Sequence, residues 1–93
     1  MRLADESSLK KTKWVQWKSV EGEAVLLHAK TGNFFALDEV GTFLWQKLAK
    51  KNVTYGDLII SLIGEYNCDE PEARRDVLDF CGRLVAEELL EIM

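Results

Sequence analysis

The apolar residues of this chain change their period once, at Asp38, and no other feature restricts the fold as much. Between Trp14 and Leu37 they alternate: Val15 and Trp17 fall on one side, Trp14, Gln16 and Lys18 on the other, the two-residue repeat of a half-buried strand. The acidic turn Val20-Glu21-Gly22-Glu23 ends that strand. Residues 24–29, "AVLLHA", form a second, in which Val25 and Leu27 share one face and Leu26 and His28 the other. Lys30-Thr31-Gly32-Asn33 is a hairpin signal, because Gly and Asn tolerate the positive φ of tight turns, and a third strand runs from Asn33 to Leu37.

From Asp38 onward the repeat is helical. Asp38 can cap a helix by accepting the free N–H groups of its first turn, and Val40, Phe43, Leu44 and Leu48 recur at helical spacing as far as about Lys50. Thr54 with Asp57 resembles a capping box, ahead of a second helix whose apolar face is Tyr55, Leu58, Ile59, Leu62, Ile63 and Tyr66. Asp69 caps a third helix, with Pro71 in the first turn where a missing N–H does no harm, running to about Glu91. The pattern predicts an α+β fold: a three-stranded antiparallel meander followed by three helices, βββααα. Residues 1–12 are polar and aperiodic, and read as a flexible N-terminal segment ahead of one domain over residues 13–93.

Charge narrows the partners. Residues 1–20 carry a net +3, residues 21–50 a net −1 and residues 51–93 a net −6, so the helical half would repel a phosphate backbone. Cys68 and Cys81 stand thirteen apart without a CxxC, and His28 is the single histidine, which leaves no recognisable zinc pattern. Both thiols are expected reduced. The N-terminus lacks an apolar signal core and no window has the ~18 apolar residues of a membrane span, so the expected compartment is the cytosol.

Catalysis requires a nucleophile with a base, a metal, or carboxylates in a cleft, and the sequence offers none of these constellations. His28 alternates with apolar neighbours and reads as structural or surface-lying; Glu87 and Glu88 read as a helix surface. Neither GxxxxGK[ST] nor GxGxxG is present, so no nucleotide cradle and no cofactor is expected.

The third strand is the more informative element. In a meander the outer strands present unpaired main-chain groups. Lys11, Lys13 and Lys18 guard the first strand against stray pairing, whereas no charge guards Asn33 to Leu37. Such an edge can accept an extended peptide as an added strand. On the third helix, Ala73, Val77, Phe80 and Leu84 form the centre of the apolar stripe, with Arg74, Leu78, Cys81 and Val85 on one flank and Asp76, Arg83 and Glu87 on the other. Leu78 and Val85 are therefore candidates for lining a groove with Arg74 at its rim.

The run "VLLHAKTGNFFALDEVGTFLWQKL" through "TYGDLIISLIGEYNCDEPEARRDVLDFCGRLVAEELL" resembles the PqqD-like family, the small peptide chaperones also called precursor peptide recognition elements. The resemblance covers residues 14 to about 92 and rests on the order and spacing of "FFALD", "EVGTFLW", "GDLI" and "DVLDFCGRLVAEELL". It implies a winged helix-turn-helix-like fold and a noncatalytic function: binding the leader segment of a ribosomally made precursor peptide on strand three, beside helix three, and presenting it to a modifying enzyme such as a radical SAM protein, a protease or a cyclase. Carried onto this chain, the implied peptide-binding positions are Asn33, Phe34, Phe35 and Ala36 on the strand and Arg74, Leu78 and Cys81 on the helix, with Val85 added by the apolar flank. The stretch "TGNFFALDEVGTFLW" is nearer to members serving lasso or other peptide pathways than to those of pyrroloquinoline quinone synthesis.

Two rivals stay open at this point. A winged-helix DNA-binding regulator would read DNA with the third helix, against the field of Asp69, Glu70, Glu72, Asp76 and Asp79. A homodimeric structural domain would pair the open edge with itself.

Overall fold

The structure, a computed structural model, describes residues 2–93. In chain order it has β1 (Ser8–Lys11), β2 (Val15–Val20), β3 (Glu23–His28), β4 (Phe34–Ala36), α1 (Glu39–Lys50), β5 (Val53–Thr54), α2 (Tyr55–Tyr66), α3 (Glu70–Ala86) and β6 (Leu90–Ile92). The expected α+β meander is the antiparallel sheet β2-β3-β4, followed by the three helices. Glu21 and Gly22, both at positive φ, make the two-residue turn between β2 and β3, and Val20 pairs with Glu23 across it. Ala24, Leu26 and His28 on β3 are buried, while Val25 and Leu27 lie on the more open face.

A second antiparallel sheet, ordered β5-β1-β6, was not expected. Ser8–Lys11 is a strand where polarity suggested a flexible lead-in: Leu9 is 0% exposed and opposite both Val53 and Ile92. One leucine among lysines and serines cannot produce an alternating pattern. Partners far along the chain hold this strand, and Lys10 faces Glu91 across it at 3.7 Å.

The third helix also stops earlier than its pattern suggested, at Ala86 rather than near Glu91. Leu89 N–H donates to the Leu84 carbonyl at 2.9 Å and Glu88 N–H to that of Val85 at 3.1 Å, closing a Schellman turn. Its left-handed position is Glu88, at φ 59, where glycine is the usual occupant and the usual sequence signal. Glu88 thus lies past the helix, and Leu89 and Leu90 beyond it are buried. A β-carbon in the left-handed region costs about 1–2 kcal/mol, so Glu88→Gly should raise the thermal midpoint by about 4–16 °C. A calorimetric scan showing a lower midpoint would contradict this account of the helix end.

The core lies between β3 and the helices, where Leu26, Leu44, Trp45, Leu58, Leu62, Val77, Leu84 and Leu89 are fully buried or nearly so. The capping box predicted at Thr54 is formed in both directions, each hydrogen bond 3.0 Å long, and Asp69 caps α3 through the Glu72 N–H.

Candidate functional site

β4 is fixed at both ends by its neighbours. At its start, the buried imidazole of His28 accepts the main-chain N–H groups of Lys30 and Thr31 through Nδ1, which shapes the turn feeding the strand. At its end, Leu37 N–H donates to the Ala24 carbonyl, and the buried Thr42 hydroxyl donates to the Leu37 carbonyl while accepting Ala24 N–H. Asp38 then caps α1, its Oδ1 accepting Gly41 N–H at 2.8 Å. A β-carbon at Gly41 would stand 3.2 Å from that oxygen and 3.3 Å from Leu37 Cβ, so the bare glycine lets the first turn of α1 sit tightly against the strand exit.

The bonding register shows which main-chain groups are left over. The Asn33 carbonyl accepts from His28 N–H, Phe35 sits opposite Leu26, and Leu37 bonds to Ala24. Inward bonding thus recurs at 33, 35 and 37, and in an antiparallel pair the residues between point their N–H and C=O the other way. Those residues are Phe34 and Ala36. β4 is an edge strand, and no other described segment pairs with it. Phe34 is 70% exposed, on the open sheet face opposite Leu27, whereas Phe35 is half-buried on the core side.

A groove of about 280 Å³ opens beside the exit of β4. Leu37, Val40 and Leu44 line it from the strand end and α1; Phe80 and Leu84 add apolar surface from α3, and Asp38, Asp76, Asp79 and Arg83 supply the charges.

The structure thus separates the residues expected at the site. Asn33, Phe34, Phe35 and Ala36 are together at or next to the free edge. Arg74, Leu78, Cys81 and Val85 do not line the groove. At 100° per residue their stripe stands about 160° around α3 from that of Asp76, Asp79, Phe80, Arg83 and Leu84. Arg74 is bonded through both terminal nitrogens to Asp5 and through Nε to Glu70, all at 2.9 Å, and the guanidinium's bonds to Asp5 hold that carboxyl below its ordinary range. Cys81 is 0% exposed, and burial pushes its thiol up to about 12. Val85 lies in a separate depression with Trp14 and Ile92, and Leu78 is 43% exposed outside the groove. The apolar flank reads as the groove in sequence because apolar residues signal contact, but the core and β6 take up much of that flank. The α3 side that lines the groove at the exit of β4 is the mixed-charge side around Phe80, which in sequence is indistinguishable from an ordinary solvated face.

Among the described residues no cluster of His, Cys, Asp and Glu is placed to hold a metal ion, and no helix is long and apolar enough to cross a membrane.

Fold and site together define a small strand-and-helix domain whose free sheet edge adjoins a groove walled by its third helix. The chain belongs to the PqqD family, described as coenzyme PQQ synthesis protein D, whose profile matches residues 23–90. Among solved structures it is similar to TbiB1 in complex with the TbiA(beta) leader peptide, with 35% identity, a TM-score of 0.82, and coverage of 88% of this chain and 94% of that one. It also shares the fold of lasso peptide synthetase B1 complexed with the leader peptide, at 18% identity and a TM-score of 0.79, over 95% of this chain and 99% of that one. No curated protein matches the chain significantly.

Proposed function

We propose that this chain is a noncatalytic leader-peptide-binding domain: it takes the leader of a ribosomally made precursor as an added strand on β4 and presents it, in the cytosol, to a modifying enzyme such as a radical SAM protein, a protease or a cyclase. The observation that carries this reading is the pair of outward-facing main-chain units, Phe34 and Ala36, left unbonded beside a groove of side-chain size. Main-chain pairing supplies affinity without reading sequence, and the adjoining groove supplies selectivity. Membership of the PqqD family and similarity to TbiB1, which was solved with a leader peptide, support it.

The register also assigns faces to the incoming strand. Peptide residues opposite Phe34 and Ala36 exchange main-chain bonds and place their side chains on the open face, beside the exposed Phe34 ring. The residue between them, opposite Phe35, turns its side chain to the core side, where the groove lies.

The test is an amide-resolved titration with a synthetic leader peptide, the TbiA(beta) leader with which TbiB1 was solved. The amides of Phe34 and Ala36 should gain protection from exchange, and signals from Asp76 to Leu84 should shift. Shifts centred instead on Leu78 and Val85, with Phe34 and Ala36 unprotected, would refute strand addition at β4. Protection that rises with protein concentration in the absence of peptide would assign the edge to a second copy.

A further inference from the structure

Three charged side chains on the α3 wall of the groove are left without a partner. Asp76, Asp79 and Arg83 line it, and among the described residues none of them has a side-chain hydrogen bond or an ion pair. Asp79 and Arg83 are four residues apart on one helix, the usual spacing for a pair, and still do not join. Arg74, on the far flank of the same helix, is by contrast fully engaged by Asp5 and Glu70. With Asp38 at the strand exit, the groove carries three carboxylates against one guanidinium around an apolar floor of Leu37, Val40, Leu44 and Phe80.

A peptide lying along this groove would strip water from these carboxylates. An ionised group that loses water without gaining a partner is costly, so a neutral or acidic segment is penalised while a cationic one compensates the loss. Resting on the leader reading above, we propose that the groove selects an extended peptide with a lysine or arginine close to its apolar anchor, and that Asp76 and Asp79 are the specificity-determining residues. Selection is then partly repulsive: an acidic side chain in the same place meets two like charges. Neither residue is needed for folding, since Asp79 is exposed, Asp76 half-exposed and both unbonded.

The probe is a pool of synthetic peptides, each with one fixed leucine and randomised flanks, passed over the immobilised full chain. The retained fraction should be enriched in Lys and Arg within two positions of the leucine. The double variant Asp76→Asn/Asp79→Asn should lose that enrichment and bind a retained lysine peptide about three- to tenfold more weakly at low salt. The difference should shrink between about 0.05 and 0.5 M salt, as screening shortens the reach of the charges. Asp76→Lys/Asp79→Lys should turn the enrichment towards Asp and Glu. Retention without basic enrichment, or equal enrichment on the double Asn variant, would overturn the selection by charge and leave strand addition standing. No retention of any peptide would overturn both.

Discussion

Ala36→Pro should remove most of the leader affinity while leaving the domain folded. Ala36 N–H points away from β3, so proline at that position deletes no bond of the protein's own sheet; an edge strand with its free N–H side outward is where proline is tolerated. The incoming strand loses a donor, and one of its carbonyls is left facing a ring instead of an N–H. A lost main-chain bond and an unsatisfied partner together cost about 2–3 kcal/mol, which is about 30- to 150-fold in Kd. The thermal midpoint should move by only a few degrees, which separates loss of binding from loss of structure. Calorimetric titration with the leader gives the affinity and a melt gives the fold. Unchanged affinity in a folded Ala36→Pro chain would mean that the leader does not use this edge.

That experiment can be set up from the sequence almost alone, because the edge was legible there. The alternation up to Leu37, the cap at Asp38 and the missing guard charges each depend on local chemistry, and local chemistry survives into the fold: Asp38 caps through Gly41 and Phe34 is exposed. What was not legible depends on partners distant in the chain. Leu9 has no apolar rhythm around it and is buried by Val53 and Ile92, residues 44 and 83 positions away. Glu88 ends α3 in a conformation its side chain does not advertise, so the helical pattern in the sequence runs on into what is β6. Which flank of α3 lines the groove is not legible for the same reason. Periodicity gives the angle between stripes but not which stripe a strand approaches, and Cys81, apolar enough to suggest a contact, is consumed by the core while Asp76 and Arg83 face the groove.

The lead-in is where this distinction has the largest measurable consequence. If residues 1–12 were a flexible segment, Leu9→Ala would change stability by no more than about 0.5 kcal/mol, as for any exposed site. The side chain is instead wholly buried in the main core cluster, so its truncation should cost about 2–5 kcal/mol, a large share of the roughly 5–15 kcal/mol that holds a domain together. For a chain of this size that lowers the thermal midpoint by about 10–30 °C. Lys10→Ala is the control: it removes only the half-exposed pair with Glu91, worth about 0–1 kcal/mol. The effect should also reach the groove. β1 is the strand that pairs with β6, and β6 follows directly from the turn that closes α3 after Leu84 and Val85. Loosening that pairing frees the end of the helix carrying Arg83 and Leu84, the last residues of the groove wall, so Leu9→Ala should weaken leader binding even at temperatures where the chain remains folded. Equal midpoints for Leu9→Ala and Lys10→Ala would show that the second sheet contributes nothing to stability.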